Sequence, residues 1–154
     1  MNKIWKFVIS ILVSFLAGAI GSIFTTPAIR DWYPTLAKPW FNPPNWLFGP
    51  AWTVLYILMG IALYLVWTSS RENKKIAYIV FFVQLALNAL WSYIFFGAHG
   101  LGWAFFEIVV LWLAILGTII AFNRILKPAA YLLIPYILWV TFAAILNYSV
   151  WQLN

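Results

Sequence analysis

Five apolar stretches, at about 4–26, 50–69, 76–97, 101–123 and 129–151, take up most of the 154 residues and decide what this chain can fold into. At 1.5 Å per residue, about 20 helical residues cross a hydrocarbon core of about 30 Å, so each stretch is long enough to span a bilayer. Composition agrees: 66% of the residues are hydrophobic and 8% are charged, against about 45–50% and 25% in soluble domains. Too few charges remain to cover a water-facing surface. The expectation is an all-α membrane protein, one domain over residues 1–154, built as a five-helix transmembrane bundle.

The breaks between spans carry turn chemistry. Arg71-Glu72-Asn73-Lys74-Lys75 separates the second from the third, Gly97-Ala98-His99-Gly100 the third from the fourth, and Arg124 to Pro128 the fourth from the fifth. Gly49-Pro50 is read as opening the second span, with proline where no N–H is needed. With the N-terminus inside, Lys3, Lys6, Arg71, Lys74, Lys75, Arg124 and Lys127 share that side, and only Arg30 and Lys38 lie opposite. Seven against two predicts N-terminus cytoplasmic and C-terminus outside. Ala17-Gly18-Ala19 resembles a signal cleavage site, but apolar character runs on to Phe24. That exceeds an h-region of about 7–15 residues, so a retained span is expected. Ser14, Gly18 and Ser22 form a small-residue ridge for close helix contact, within one bundle or between two.

Several function classes drop out. With no cysteine there is no thiolate nucleophile or thiolate metal site, and one histidine with three acids (Asp31, Glu72, Glu107) leaves little for an all-protein metal centre. The net charge of +6 sits in short groups between apolar runs, which suits anionic headgroups and not nucleic acid.

Residues 27–49 are an unusual connector, holding five prolines (27, 34, 39, 43, 44), three tryptophans (32, 40, 46), Tyr33, Phe41 and Phe48. An aromatic belt at the headgroups is one reading. Such length and so much proline favour the other, a stiff lid over the mouth of the bundle.

Within the spans, Trp52, Trp91, Trp103 and Trp139 fall in or near the half beside that loop, Trp139 lying deeper. They either fill core and face lipid or line one cavity for a flat, apolar, conjugated ligand. Trp5, Trp67, Trp112 and Trp151 are read as ordinary packing. Gln84 and Asn88 share a helix face, and these amides and Asn147 must bond across helices or to a ligand. Glu107 is the one acid well inside a span, a functional candidate by default though shallow. Pro135 removes the partner of the Tyr131 carbonyl and is expected to kink the fifth span. His99 is read as an interfacial loop residue and not a haem ligand.

Trp32-Tyr33, Lys38-Pro39-Trp40-Phe41-Asn42-Pro43-Pro44-Asn45-Trp46 and Gly49-Pro50-Ala51-Trp52-Thr53-Val54-Leu55-Tyr56 together resemble the translocator protein family, also called tryptophan-rich sensory proteins or peripheral benzodiazepine receptors. Gln84-Leu85-Ala86-Leu87-Asn88, Trp91, Phe95-Phe96-Gly97, Gly102-Trp103, Pro135-Tyr136, Trp139, Phe142-Ala143 and Leu146-Asn147-Tyr148 extend the match over the whole chain. The resemblance, to a bacterial-type member, implies a five-helix bundle, usually a homodimer, whose pocket is closed by the first loop. Implied ligands are porphyrins such as protoporphyrin IX, sterols, and synthetic isoquinoline carboxamides and benzodiazepines, with no required cofactor. Implied pocket residues are Tyr33, Trp40, Pro43, Trp46, Trp52, Asn88, Trp91, Trp103, Trp139, Ala143 and Leu146. Trp52 and Trp139 match the pair associated in bacterial members with light-dependent porphyrin breakdown.

The chain departs from the family twice. Phe41 stands where many relatives carry tryptophan, and no Lys or Arg follows Tyr148, so the sterol-recognition pattern of animal members is missing and cholesterol is a poor choice of ligand. Three functions are expected in descending order: a tetrapyrrole-binding sensor or carrier, a photo-oxidative porphyrin-degrading enzyme using Trp52 and Trp139, and a sterol or lipid translocator. No inverted repeat or nucleotide site favours active transport. The short Lys-bearing N-terminus is expected of a bacterial inner-membrane protein.

Overall fold

The computed structural model describes residues 1–154 and is helical almost throughout. Its elements are α1 (Lys3–Asp31), α2 (Asn45–Thr68), α3 (Lys75–Ser92), α4 (Leu101–Ile125), α5 (Lys127–Tyr131) and α6 (Ile134–Leu153). A π-turn over Tyr93–Gly97 prolongs α3, and α5 with α6 makes one span, so five helical segments are long and apolar enough to cross a membrane.

Two boundaries differ from expectation, both at prolines. The first span ends not at 26 but at Asp31, with Pro27 inside the helix. Pro27 deprives only the Ile23 carbonyl of its partner, a loss that packed membrane helices tolerate. The second span begins at Asn45 with Pro44 as its N-cap, so Pro50 is inside α2 and does not open it. The connector therefore shrinks from 27–49 to 32–44, with one 3-10 turn at Tyr33–Thr35. Pro135 acts as expected: α5 stops at Tyr131 and α6 restarts at Ile134 with this proline in its first turn.

Helix α1 packs on α2 and α3, α4 on α3 and α6, and α5 closes the ring against α2. Glycines set the closest approaches. A Cβ on Gly60 would stand 2.8 Å from the Ile11 Cα, and one on Gly18 would stand 2.5 Å from the Tyr56 ring. The Gly18 position of the small-residue ridge thus packs inside the bundle.

The two ends of the bundle are filled differently. Met59, Val66, Phe81, Ile115 and Phe122 are fully buried at the end holding the N-terminus, where the Phe81 and Phe122 rings stack at 5.7 Å. At the other end a smaller apolar cluster (Tyr33, Phe95, Ala104, Leu146 and Val150) lies under the first connector. Between them the interior is hollow.

The connector is tied down at several points. Tyr33 Oη donates to Asn42 Oδ1 (2.7 Å), and Lys38 Nζ donates to the carbonyls of Tyr33 and Leu36 (2.9 and 2.8 Å). Asn154 accepts from the Ala37 N–H (3.0 Å) and donates to its carbonyl (2.9 Å), and Trp32 stacks on His99 at 3.9 Å.

Candidate functional site

The hollow is a cavity of about 470 Å³ walled by α1, α2, α3, α4 and α6, inside the range of about 300–1,000 Å³ usual for small-molecule sites. Helix periodicity builds its aromatic wall. Phe48 and Trp52, then Trp52 and Tyr56, are four apart on α2 and face the same way. Trp91 and Phe95 repeat this on α3 and its π-turn, stacked at 5.0 Å and 28°. From α6, Trp139 meets Trp52 edge to face at 6.5 Å and 86°, and Phe48 at 6.3 Å. These contacts bridge α2 and α6, as does Trp52 against Tyr136 at 6.2 Å.

A chain of hydrogen bonds supports the floor. Tyr56 Oη donates to Asn88 Oδ1 (2.6 Å), Asn88 Nδ2 donates to Tyr136 Oη (2.9 Å), and Tyr136 Oη donates to Gln84 Oε1 (2.7 Å). Trp91 Nε1 donates to Asn147 Oδ1 (3.0 Å), whose Nδ2 donates to the Leu101 carbonyl (2.9 Å). All three amides singled out in the sequence bond across helices, and Asn88 and Asn147 also reach the cavity surface. Every such pairing removes a cost of about 1–3 kcal/mol for an unsatisfied buried polar group.

Of the residues expected to form a pocket, Tyr33, Trp52, Asn88, Trp91, Trp139, Ala143 and Leu146 line this cavity. Trp40, Pro43, Trp46 and Trp103 do not. Trp40 projects from the connector 95% exposed, meeting only the Phe41 ring edge on, and Trp46 is 70% exposed in the first turn of α2. Trp103 is 76% exposed on the outer face of α4, where Trp sits in an aromatic belt. Pro43 stays in the connector short of α2. Glu107 is 8% exposed with neither carboxyl oxygen bonded, and it is absent from the cavity wall.

Sequence reasoning named Phe48, Tyr56 and Phe95 without assigning them to the pocket, although the four-residue spacing to Trp52 and Trp91 carried the signal. It also passed over Arg30, the only charged side chain on the wall. Outside the spans, burial pushes the Tyr33 phenol up to about 12, so it remains a hydrogen-bond donor to Asn42 at any physiological pH.

No group of His, Asp and Glu is placed to hold a metal ion. The wall offers flat apolar faces, a few polar atoms, among them the unpaired Trp139 Nε1, and one cation, which suits binding of a flat apolar molecule. Comparison with known proteins gives the family. The TspO/MBR family model matches residues 10–152. The chain is 44% identical to a tryptophan-rich protein TspO of Archaeoglobus fulgidus over 99% of both chains. It is 38% identical to a tryptophan-rich sensory protein of Cereibacter sphaeroides over 100% of this chain and 95% of the relative. To the translocator protein of Homo sapiens it is 39% identical over 88% and 82%. An integral membrane protein by its five spans, this chain belongs to the TspO/MBR family.

Proposed function

We propose that the cavity binds a porphyrin of the protoporphyrin IX kind, or a similarly flat apolar molecule, and that the protein senses, sequesters or moves it. The observation carrying this reading is the convergence of Trp52, Trp91 and Trp139 from three helices on one cavity of about 470 Å³. Planar rings are the natural complement of a planar conjugated ligand. The binding residues proposed are Tyr33, Trp52, Asn88, Trp91, Trp139, Ala143 and Leu146. The charge count further supports an N-terminus in the cytoplasm of a bacterial cell, and family membership supports a homodimer.

An anaerobic, dark titration of protoporphyrin IX into the detergent-purified protein tests this through quenching of tryptophan fluorescence. Saturation near one porphyrin per chain is expected, with weaker binding in a Trp52→Phe, Trp139→Phe double variant. No saturable quenching sinks the tetrapyrrole reading and leaves a lipid or sterol ligand.

The contact of Trp52 with Trp139 favours a second reading, in which an excited porphyrin is degraded beside this pair. Illumination in air decides it: porphyrin absorbance must fall with the wild type and persist in variants that still bind but lack either indole.

A further inference from the structure

Six of the residues lining the cavity are exposed, and all six stand on two helices. Ser22, Thr26 and Arg30 follow one another at four-residue spacing on α1, and Asn45, Gly49 and Thr53 do so on α2. Residues four apart share a helix face, so the two rows border one slot. The slot begins at Arg30 and Asn45, at the ends of their helices, and runs about 12 Å into the span to Ser22 and Thr53. Below that it is shut, because the Tyr56 ring fills the space against Gly18. Two of its hydroxyls are engaged within their own helices: Ser22 Oγ donates to the Ala19 carbonyl and Thr53 Oγ1 to the Gly49 carbonyl, each at 2.8 Å. Thr26 and Asn45 leave polar side chains on the same border, close to Arg30.

Its mouth has one distinctive group. This end of the bundle carries only two cations, and Lys38 is consumed by the connector, bonded to two carbonyls and lying over the Tyr33 ring at 4.9 Å. The Arg30 guanidinium has no protein acceptor, and neighbouring Asp31 forms no ion pair with it. An unpaired guanidinium at headgroup depth, on the wall of an otherwise apolar cavity, matches the planar geometry of a carboxylate.

We propose that the cavity selects an amphiphile with a carboxylate at one edge of its apolar body, the body lying inside and the carboxylate held by Arg30 at the mouth of the slot. This rests on the tetrapyrrole reading and deepens it by making Arg30 the residue that recognises the carboxylate edge of the ligand.

Parallel titrations with protoporphyrin IX and its dimethyl ester, whose ring is the same and whose carboxylates are masked, test the assignment. Wild type is expected to bind the diacid about tenfold more tightly than the ester. Arg30→Gln should remove that preference by weakening the diacid alone, and Arg30→Lys should restore part of it. Equal affinity of wild type for both porphyrins overturns the assignment without any variant, and leaves the tetrapyrrole reading standing. Equal weakening of both by Arg30→Gln also overturns it, since it marks a structural role. Binding of neither porphyrin by wild type sinks the tetrapyrrole reading itself.

Discussion

Asn88 joins three helices through one amide, accepting from Tyr56 and donating to Tyr136. Replacing it with alanine leaves the buried Tyr56 hydroxyl without an acceptor, while Tyr136 keeps its bond to Gln84, so Asn88→Ala is expected to cost about 1–3 kcal/mol of stability. A lowered thermal unfolding midpoint in detergent, without loss of helical circular dichroism, would register it. Tyr33 gives a prediction about pH. Its phenol is held at about 12 in the folded protein against about 10 unfolded, so the folded state binds the extra proton between those values. Its contribution is complete below pH 10 and is lost as pH rises towards 12. Wild type should therefore destabilise more steeply than Tyr33→Phe across that window in a pH series of unfolding midpoints. Such effects were only half readable beforehand: buried amides in a span announce that they need partners, but which hydroxyl lies opposite depends on how helices distant in sequence are packed.

At the scale of elements, proline and glycine explain both what was read well and what was not. Pro135 breaks the fifth span where expected because the break is local, a missing N–H one turn from the Tyr131 carbonyl. Pro27 and Pro50 carry the same chemistry yet lie inside continuous helices, because packing against neighbours outweighs one lost backbone bond. Glycine is legible only once the partner helix is known. Gly60→Ala sets a methyl 2.8 Å from the Ile11 Cα and must push α1 from α2, at about 1–3 kcal/mol. Gly49→Ala meets nothing within 4 Å and serves as the control for the same unfolding measurement.

For the molecule as a whole, a hollow between two packed clusters assigns different roles to chemically alike residues. Trp103 lies on the outer face of α4 while Trp91 and Trp139 face the cavity. Trp103→Phe is accordingly expected to leave porphyrin affinity within about twofold of wild type. A Trp91→Phe variant titrated beside it should bind more weakly. Five spans, their order and the aromatic wealth of one end followed from residue types alone, since the length and apolarity that a bilayer demands are properties of contiguous sequence. Seven of the eleven expected contacts meet in one cavity, and the slot with Arg30 at its mouth was not foreseen at all. A side chain's facing depends on the rotation of each helix about its own axis. That rotation is settled only when α1, α2, α3, α4 and α6 pack together, through contacts between residues far apart in the chain.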